Sequence, residues 1–409
     1  MIAERRTLLV TEGRTSAATG FPPSFALDRS QVEGVVGICL LQDSDADAVS
    51  VGTMSSTLPL CTLVKPKERY LASEPKRRIR AQETAAQINA VPALLKEVLR
   101  FAAKVRASDL WFVLEGQTLV RLAYLACSQA TQKLHIEIPG NPSSWLRMRH
   151  IDHWSAADLL RKIDNVVSHA EGLAVGSLEL AALYETRLGR RPNWLPPVLD
   201  TRLVLDPAHG PDEHSLRVGV VGAAFATPEF FSLVEAIVAL RARGEWRSVG
   251  LHVFVETEAV PCQREGSAIR IRRCDTLETL IGGLAELDLL YCCDPFMITD
   301  PDLGDHSSDW LPIYFAAGRP ILFHGRANTA TGRFLRSVAG SFFCFREGAE
   351  ALQNALLRSL RQRELYAETA QNARALLERH FSMEAYCSSA REFIGNAGEP
   401  QSTLTRRRA

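Results

Sequence analysis

Short runs of apolar residues alternate with polar, Gly- or Pro-containing stretches along most of this chain. In the second half the alternation is regular. RVGVVG (217–222), VGLHVFVE (249–256), AIRIRR (268–273), DLLYCC (288–293), PILFHG (320–325) and SFFCF (341–345) read as strands. The segments between them carry helical periodicity. One helix starts at Thr227-Pro228-Glu229, a cap residue, a first-turn proline and an acid. Others are predicted over 276–287, 309–317 and 329–338, with an amphipathic helix at GAEALQNALLRSLR. Strands separated by helices of about ten residues imply a parallel sheet with right-handed crossovers.

The first half follows the same grammar less cleanly. Strands are predicted at 6–10, 35–41, 58–66, 109–114 and 133–138, with strand ends at 164–168 and 173–175. Residues 76–107 have a helical pattern with a break at Pro92. Helices are expected over 116–129, over 155–161 behind a Ser155 cap, and from Ser177 to a stop at Gly189. PGNPSSW (139–145) reads as a turn. The Pro-rich stretch 190–216 marks the boundary between halves. The expected organisation is a first Rossmann-like domain over 1–195 and a second over 196–380. A helix over 381–395 returns to the first domain, and a disordered basic tail covers 396–409.

Composition changes this picture little. The chain has 409 residues, enough for two cores, with 46% hydrophobic and 23% charged residues. Lys plus Arg and Asp plus Glu both total 47, so net charge is zero and a nucleic-acid partner is not indicated. The nine cysteines lack paired or metal-ligand spacing. Several lie in apolar runs, as buried small residues of a reducing compartment do. Adjacent Cys292 and Cys293 should face opposite sides of their strand, which argues against a shared metal. No apolar run reaches membrane-spanning length, and MIAERRTLLVTEG reads as a first strand, not a leader. A cytoplasmic location is expected, with docking at the inner membrane face left open.

Ligands of such folds bind beyond the carboxyl ends of the strands. Candidate chemistry is therefore sought there. Gly222 and Ala223 follow a strand and precede a helix N-terminus, where backbone N–H groups favour anions. Arg272, near the end of its strand, and Arg326, after PILFHG, are candidate diphosphate contacts, and Cys274, two residues beyond Arg272, is a further candidate on the donor side. The loop DPDLGDHSSDW supplies Asp305, His306, Ser308, Asp309 and Trp310. In the first half, Gly13 and Gly20 would allow close approach of an acceptor. Trp145 lies in a polar-aromatic stretch, and His135 and Glu137 share one strand face.

The order of features from 217 to 394 resembles the GT-B glycosyltransferases, particularly the large retaining group 1 family. The resemblance rests on DWLPIYFAAGRPILFHG followed by NALLRSLRQRELYAETAQNARALLERHFSMEAY, with LYETRLGRRPNWLPPVLD as the hinge. It implies an α/β fold of two Rossmann-like domains facing across a cleft. It also implies transfer of a sugar from a nucleotide diphosphate sugar to a saccharide, lipid or small-molecule acceptor, with retention and without a metal or resident cofactor. Under it, His135, Glu137 and Asp305 would lie near the donor sugar, and a membrane or partner-subunit contact stays open. Two positions depart from the family. Of the two glutamates it places eight positions apart, the first is Asp305 here and the second is Ile313, which cannot hydrogen-bond a ribose. The position of a phosphate-binding lysine holds Trp310. The alternative is a catalytically weak or inactive homologue acting as a binding or partner subunit. A sugar-nucleotide epimerase on the same fold finds no motif in its support.

Overall fold

The computed structural model describes residues 5–12, 29–43, 58–67, 77–148, 151–206, 215–221, 227–244, 248–255, 268–296, 310–337, 341–362 and 364–395. The first half runs β1 (Thr7–Glu12), β2 (Val35–Asp43), β3 (Leu60–Lys65), α1 (Arg77–Lys104), β4 (Asp109–Val113), α2 (Gln117–Gln129), β5 (Lys133–Ile138), α3 (Pro142–Met148), α4 (His153–His169), β6 (Gly172–Val175), α5 (Leu178–Leu188) and β7 (Asn193–Trp194). The second runs β8 (Ser215–Val221), α6 (Pro228–Ala242), β9 (Ser248–Val255), β10 (Ile269–Arg273), α7 (Leu277–Ala285), β11 (Leu289–Cys293), α8 (Leu311–Ala316), β12 (Ile321–His324), α9 (Ala330–Ser337), β13 (Ser341–Cys344), α10 (Ala349–Arg361), α11 (Glu364–Leu376) and α12 (Met383–Gly395).

The strands form two sheets, ordered β3-β2-β1-β4-β5-β6-β7 and β10-β9-β8-β11-β12-β13. Every pairing is parallel. Strand order reverses between β1 and β4 and again between β8 and β11, the switch points of two doubly wound sheets. Side-chain alternation sorts each sheet into two cores. In the first, Leu8, Val10, Leu110, Phe112 and Ile136 pack with α1, α2 and α4. Leu9, Ile38, Trp111 and Val113 face the other way, onto Tyr386, Ala390, Phe393 and Ile394 of α12. The last helix of the chain thus covers a face of the first sheet. In the second sheet, one face packs against α6 and α10 and the other against α7 and α8. Cys292 and Cys293 fall on opposite faces, as alternation predicts.

Three local expectations are corrected. Pro92 does not break its helix; α1 runs through it. Pro92 and Ile88, whose carbonyl loses its bond to the missing N–H, both lie on the exposed side, where water can serve that carbonyl. The short helix and strand read over 155–168 are one helix, α4, capped by Asp152, whose Oδ1 accepts from Ser155 N at 3.0 Å. The turn at 139–145 opens α3, with Asn141 Oδ1 accepting from Ser143 N.

Among the described residues no helix is long and apolar enough to cross a membrane, and no disulfide joins the eight described cysteines.

The buried His252 of β9 gives a testable pH dependence. Burial, then the charges of Arg272, Arg270 and Arg217, push its pKa down to about 4. The unfolded chain takes up this proton near pH 6.5, so between pH 6.5 and 4 the unfolded state binds more protons. His252 therefore contributes stability in full above pH 6.5, lost as pH falls toward 4. Screened for partial solvent access, the loss should be roughly 2 kcal/mol. Urea unfolding at pH 7 and pH 4.5 should show it, and His252→Leu should flatten that part of the profile.

Candidate functional site

The switch point of the second sheet is held open by a tyrosine. β8 and β11 pair only through Leu289↔Val218 and Leu290↔Gly219. Beyond that the Tyr314 hydroxyl of α8 stands between them. It accepts from Val221 N at 3.0 Å and donates to the Tyr291 carbonyl at 2.9 Å. Backbone groups left unpaired by the divergence are thereby satisfied. Tyr314 is 2% exposed, and burial raises its pKa well above that of an ordinary phenol, so it stays protonated.

At the carboxyl ends of β11 and β12 a cavity of about 450 Å³ opens between the N-termini of α6 and α10. Its lining includes Thr227, Glu229, Ser232, Phe296, His324 and Glu347. The sequence builds it through helix starts. Thr227 Oγ1 accepts from Phe230 N at 3.2 Å and Pro228 occupies the first turn. Glu229, the first-turn acid, is 5% exposed. Its Oε1 accepts from Phe296 N at 2.9 Å, tying α6 to the segment that leaves β11. Its Oε2 is buried and has no hydrogen-bond partner. Opposite, α10 opens on Gly348 at φ 92° without a side-chain cap.

His324 forms the cavity floor. Burial holds its pKa below the ordinary histidine value. A neutral imidazole carries one N–H. Nε2 lies 3.1 Å from the Arg346 carbonyl, which can only accept, so the proton is on Nε2. Nδ1 then accepts from the Tyr291 hydroxyl at 2.7 Å. That hydroxyl also lies 3.0 Å from the Glu229 carbonyl, so two acceptors compete for one proton. The Phe296 ring meets the His324 ring edge-on at 5.0 Å.

Of the residues selected from sequence, Arg326 fits a ligand-binding role best. It follows β12, it is half-buried, and its Nε is a buried donor without a partner. Its carbonyl accepts from Thr329, which begins the turn into α9. There the Thr331 hydroxyl donates to Glu179 of α5, a contact between the two halves. Trp310 is half-buried against the core beside α8. Gly13, Gly20, Gly222, Ala223, Asp305, His306, Ser308 and Asp309 lie outside the described residues.

Five candidates are drawn elsewhere. His135 is fully buried, its Nε2 3.0 Å from Asp109 Oδ1 and its ring edge-on to Phe393 at 5.4 Å. A Cβ on Gly172 would stand 2.6 Å from His135 Nδ1 and 2.7 Å from the Phe393 carbonyl, so only glycine lets α12 close there. Glu137 accepts from Arg29 Nη2 at 2.7 Å, Arg29 Nε at 3.1 Å and Trp111 Nε1 at 3.0 Å. Both side chains face α12, not a ligand, because the sheet face they share is covered. Arg272 bonds Glu286 at 2.6 Å and lies over the Phe254 ring. Cys274 and Trp145 are core residues. In the sequence Glu229 reads as part of a helix start and His324 as part of a strand, and Phe296 follows a strand without a motif of its own. Their one signal was position, at the carboxyl edge of the sheet.

The architecture has solved counterparts. A glycosyltransferase from Rickettsia africae superposes with a TM-score of 0.60 at 11% identity, over 97% of this chain and 99% of that one. The fold is GT-B. For this GT-B chain, sucrose-phosphate synthase from Thermosynechococcus elongatus gives a TM-score of 0.58 at 12% identity, covering 94% and 97% of the two chains. Anabaena HepE, solved in complex with UDP, gives 0.58 at 11%, covering 96% and 100%. No protein-family model and no curated protein matches the sequence. At these identities the likeness establishes the GT-B fold, and the chemistry must be argued from the site.

Proposed function

We propose that the chain is a glycosyltransferase that moves a sugar from a nucleoside diphosphate sugar to a saccharide, lipid or small-molecule acceptor, with retention. The observation that carries the reading is the GT-B architecture across nearly the whole chain, shared with transferases of which one is solved with UDP. The nucleotide would lie along the carboxyl edge of the second sheet. Arg326, with its unsatisfied buried N–H, would hold the diphosphate, alongside the helix N-terminus after Gly222 and Ala223. Positive groups and backbone N–H donors aimed at the leaving diphosphate stabilise charge as it develops, chemistry that needs no metal. Asp305, His306, Ser308, Asp309 and Trp310 remain donor-side candidates, and Gly13 and Gly20 acceptor-side ones. His135, Glu137, Arg272, Cys274 and Trp145, engaged in intramolecular contacts of their own, have no part in this reading. In this reading the protein works in the cytoplasm, in keeping with eight described cysteines that no disulfide joins.

A thermal-shift panel of nucleoside diphosphates tests the proposal. A ligand at a hundred times its Kd should add about 2.7 kcal/mol to stability and raise the melting temperature by several degrees. Absence of any shift with every nucleoside diphosphate at millimolar concentration would remove the donor reading. Arg326→Ala should weaken a bound nucleotide about tenfold, the loss of one charge-assisted hydrogen bond.

One observation favours the alternative of a binding or partner subunit. Ile313 is fully buried, so α8 offers a ligand no carboxyl group at the position where the resembled family has its second glutamate. That reading predicts nucleotide binding without hydrolysis or transfer, which a product assay on the same samples separates.

A further inference from the structure

The cavity between α6 and α10 has a charge pattern unlike a phosphate site. Its described lining holds two acidic side chains, Glu229 and Glu347, a neutral imidazole and no basic residue. Each acid lies at a helix N-terminus, where the helix dipole is already met by negative charge. A third anion there would be opposed. The unmet side-chain capacity in the wall is that of an acceptor, Glu229 Oε2, held in place because Oε1 is fixed by the Phe296 backbone. A buried acceptor without a donor is costly in the empty protein, by about the desolvation of that group. A ligand hydroxyl entering the cavity removes that cost. The Phe296 ring beside it gives an apolar surface for the C–H face of a sugar ring.

We infer that this cavity is a hydroxyl-recognising subsite for the vicinal diol of a sugar ring, with Glu229 accepting from it. The inference deepens the proposed function and rests on it. The diol is either the transferred hexose or the ribose of the nucleotide. The diphosphate lies outside the cavity, on the Arg326 side. The volume, about 450 Å³, suits one sugar ring with accompanying water rather than a whole nucleotide sugar.

The test is isothermal titration of UDP, UDP-glucose, uridine and free glucose into the full chain, its Glu229→Gln variant and its Ser232→Phe variant. Glu229→Gln keeps an amide oxygen for the Phe296 N–H and replaces the second acceptor by a donor. Ser232 is half-buried in the cavity lining and belongs to none of the core clusters, so Ser232→Phe fills the cavity while leaving the core intact and serves if Glu229→Gln does not fold. The expected result is a loss of about tenfold or more in UDP-glucose affinity in both variants. Unchanged UDP binding then assigns the hexose to the cavity; an equal loss for UDP and uridine assigns the ribose. Wild-type affinity for UDP and UDP-glucose in both variants would overturn the subsite and leave the transfer reading standing. Glu229-dependent binding of glucose, with no nucleotide bound by the wild type, would keep the subsite and remove the transfer reading. No binding of any probe by the wild type removes both.

Discussion

Glu137→Ala is expected to cost about 3–5 kcal/mol of folding stability, the usual range for removing one partner of a buried ion pair. Glu137 is 1% exposed and takes three hydrogen bonds, two from Arg29 and one from the Trp111 indole. Burial alone would push the Arg29 guanidinium down; the adjacent Glu137 carboxylate more than offsets this and raises it. Without Glu137 a cation and an indole N–H are left in the interface between the first sheet and α12 without the carboxylate that accepts from both. The penalty is their desolvation, not the modest worth of the pair. Glu137→Gln retains an acceptor and should cost about half as much. Replacing both partners with apolar residues, Glu137→Leu with Arg29→Met, should recover much of the loss. Urea unfolding curves of the four proteins measure these differences. An alanine variant as stable as wild type but devoid of transfer activity would instead return Glu137 to the reacting centre.

The fate of Glu137 also shows what pattern can and cannot deliver. Alternation placed His135 and Glu137 on one face of β5, and the structure agrees. What covers that face is α12, more than two hundred residues later, and no local signal says so. The helix starts at Ser177, Thr227 and Thr276 were legible because a cap residue acts within three positions, and each is seen accepting from the backbone there. Parallel sheets were legible because crossover helices impose a repeating spacing. Pro92 misled because the cost of an interior proline depends on whether the orphaned carbonyl meets water, and this is set by the helix's orientation on the core. The cavity residues were hidden for the same reason. Glu229 looks like any first-turn acid. Its function depends on Phe296, 67 positions away in sequence, occupying one of its two oxygens. His324 and Tyr314 sit in apolar runs and read as core, although their polar atoms organise the strand ends around the switch point.

Ile313→Glu is the second large expected effect, and it tests where the ligand's hydroxyl acceptor comes from. Were α8 to face the nucleotide, a glutamate at this position would gain a partner and strengthen binding. The described side chains of α8 are all buried. Ile313 itself is 0% exposed, in the cluster that also holds Phe315, Phe323, Leu377 and Phe381. A carboxyl group there would displace packed apolar atoms inside an apolar cluster, and the neighbouring Tyr314 hydroxyl is already committed to Val221 and Tyr291. The cost should exceed about 4 kcal/mol, enough to abolish soluble, cooperatively melting protein. Ile313→Val, which only shortens the side chain, should cost about 1 kcal/mol and leave ligand binding intact. The comparison separates an effect of packing from an effect of charge. A glutamate variant that folds normally and binds UDP more tightly would mean that α8 can turn its face to the ligand, and would restore the role that the family resemblance gives this position. Collapse of that variant, beside undisturbed binding in Ile313→Val, would leave the opposite face of the sheet as the source of the acceptor. Glu229 is the buried acceptor available there.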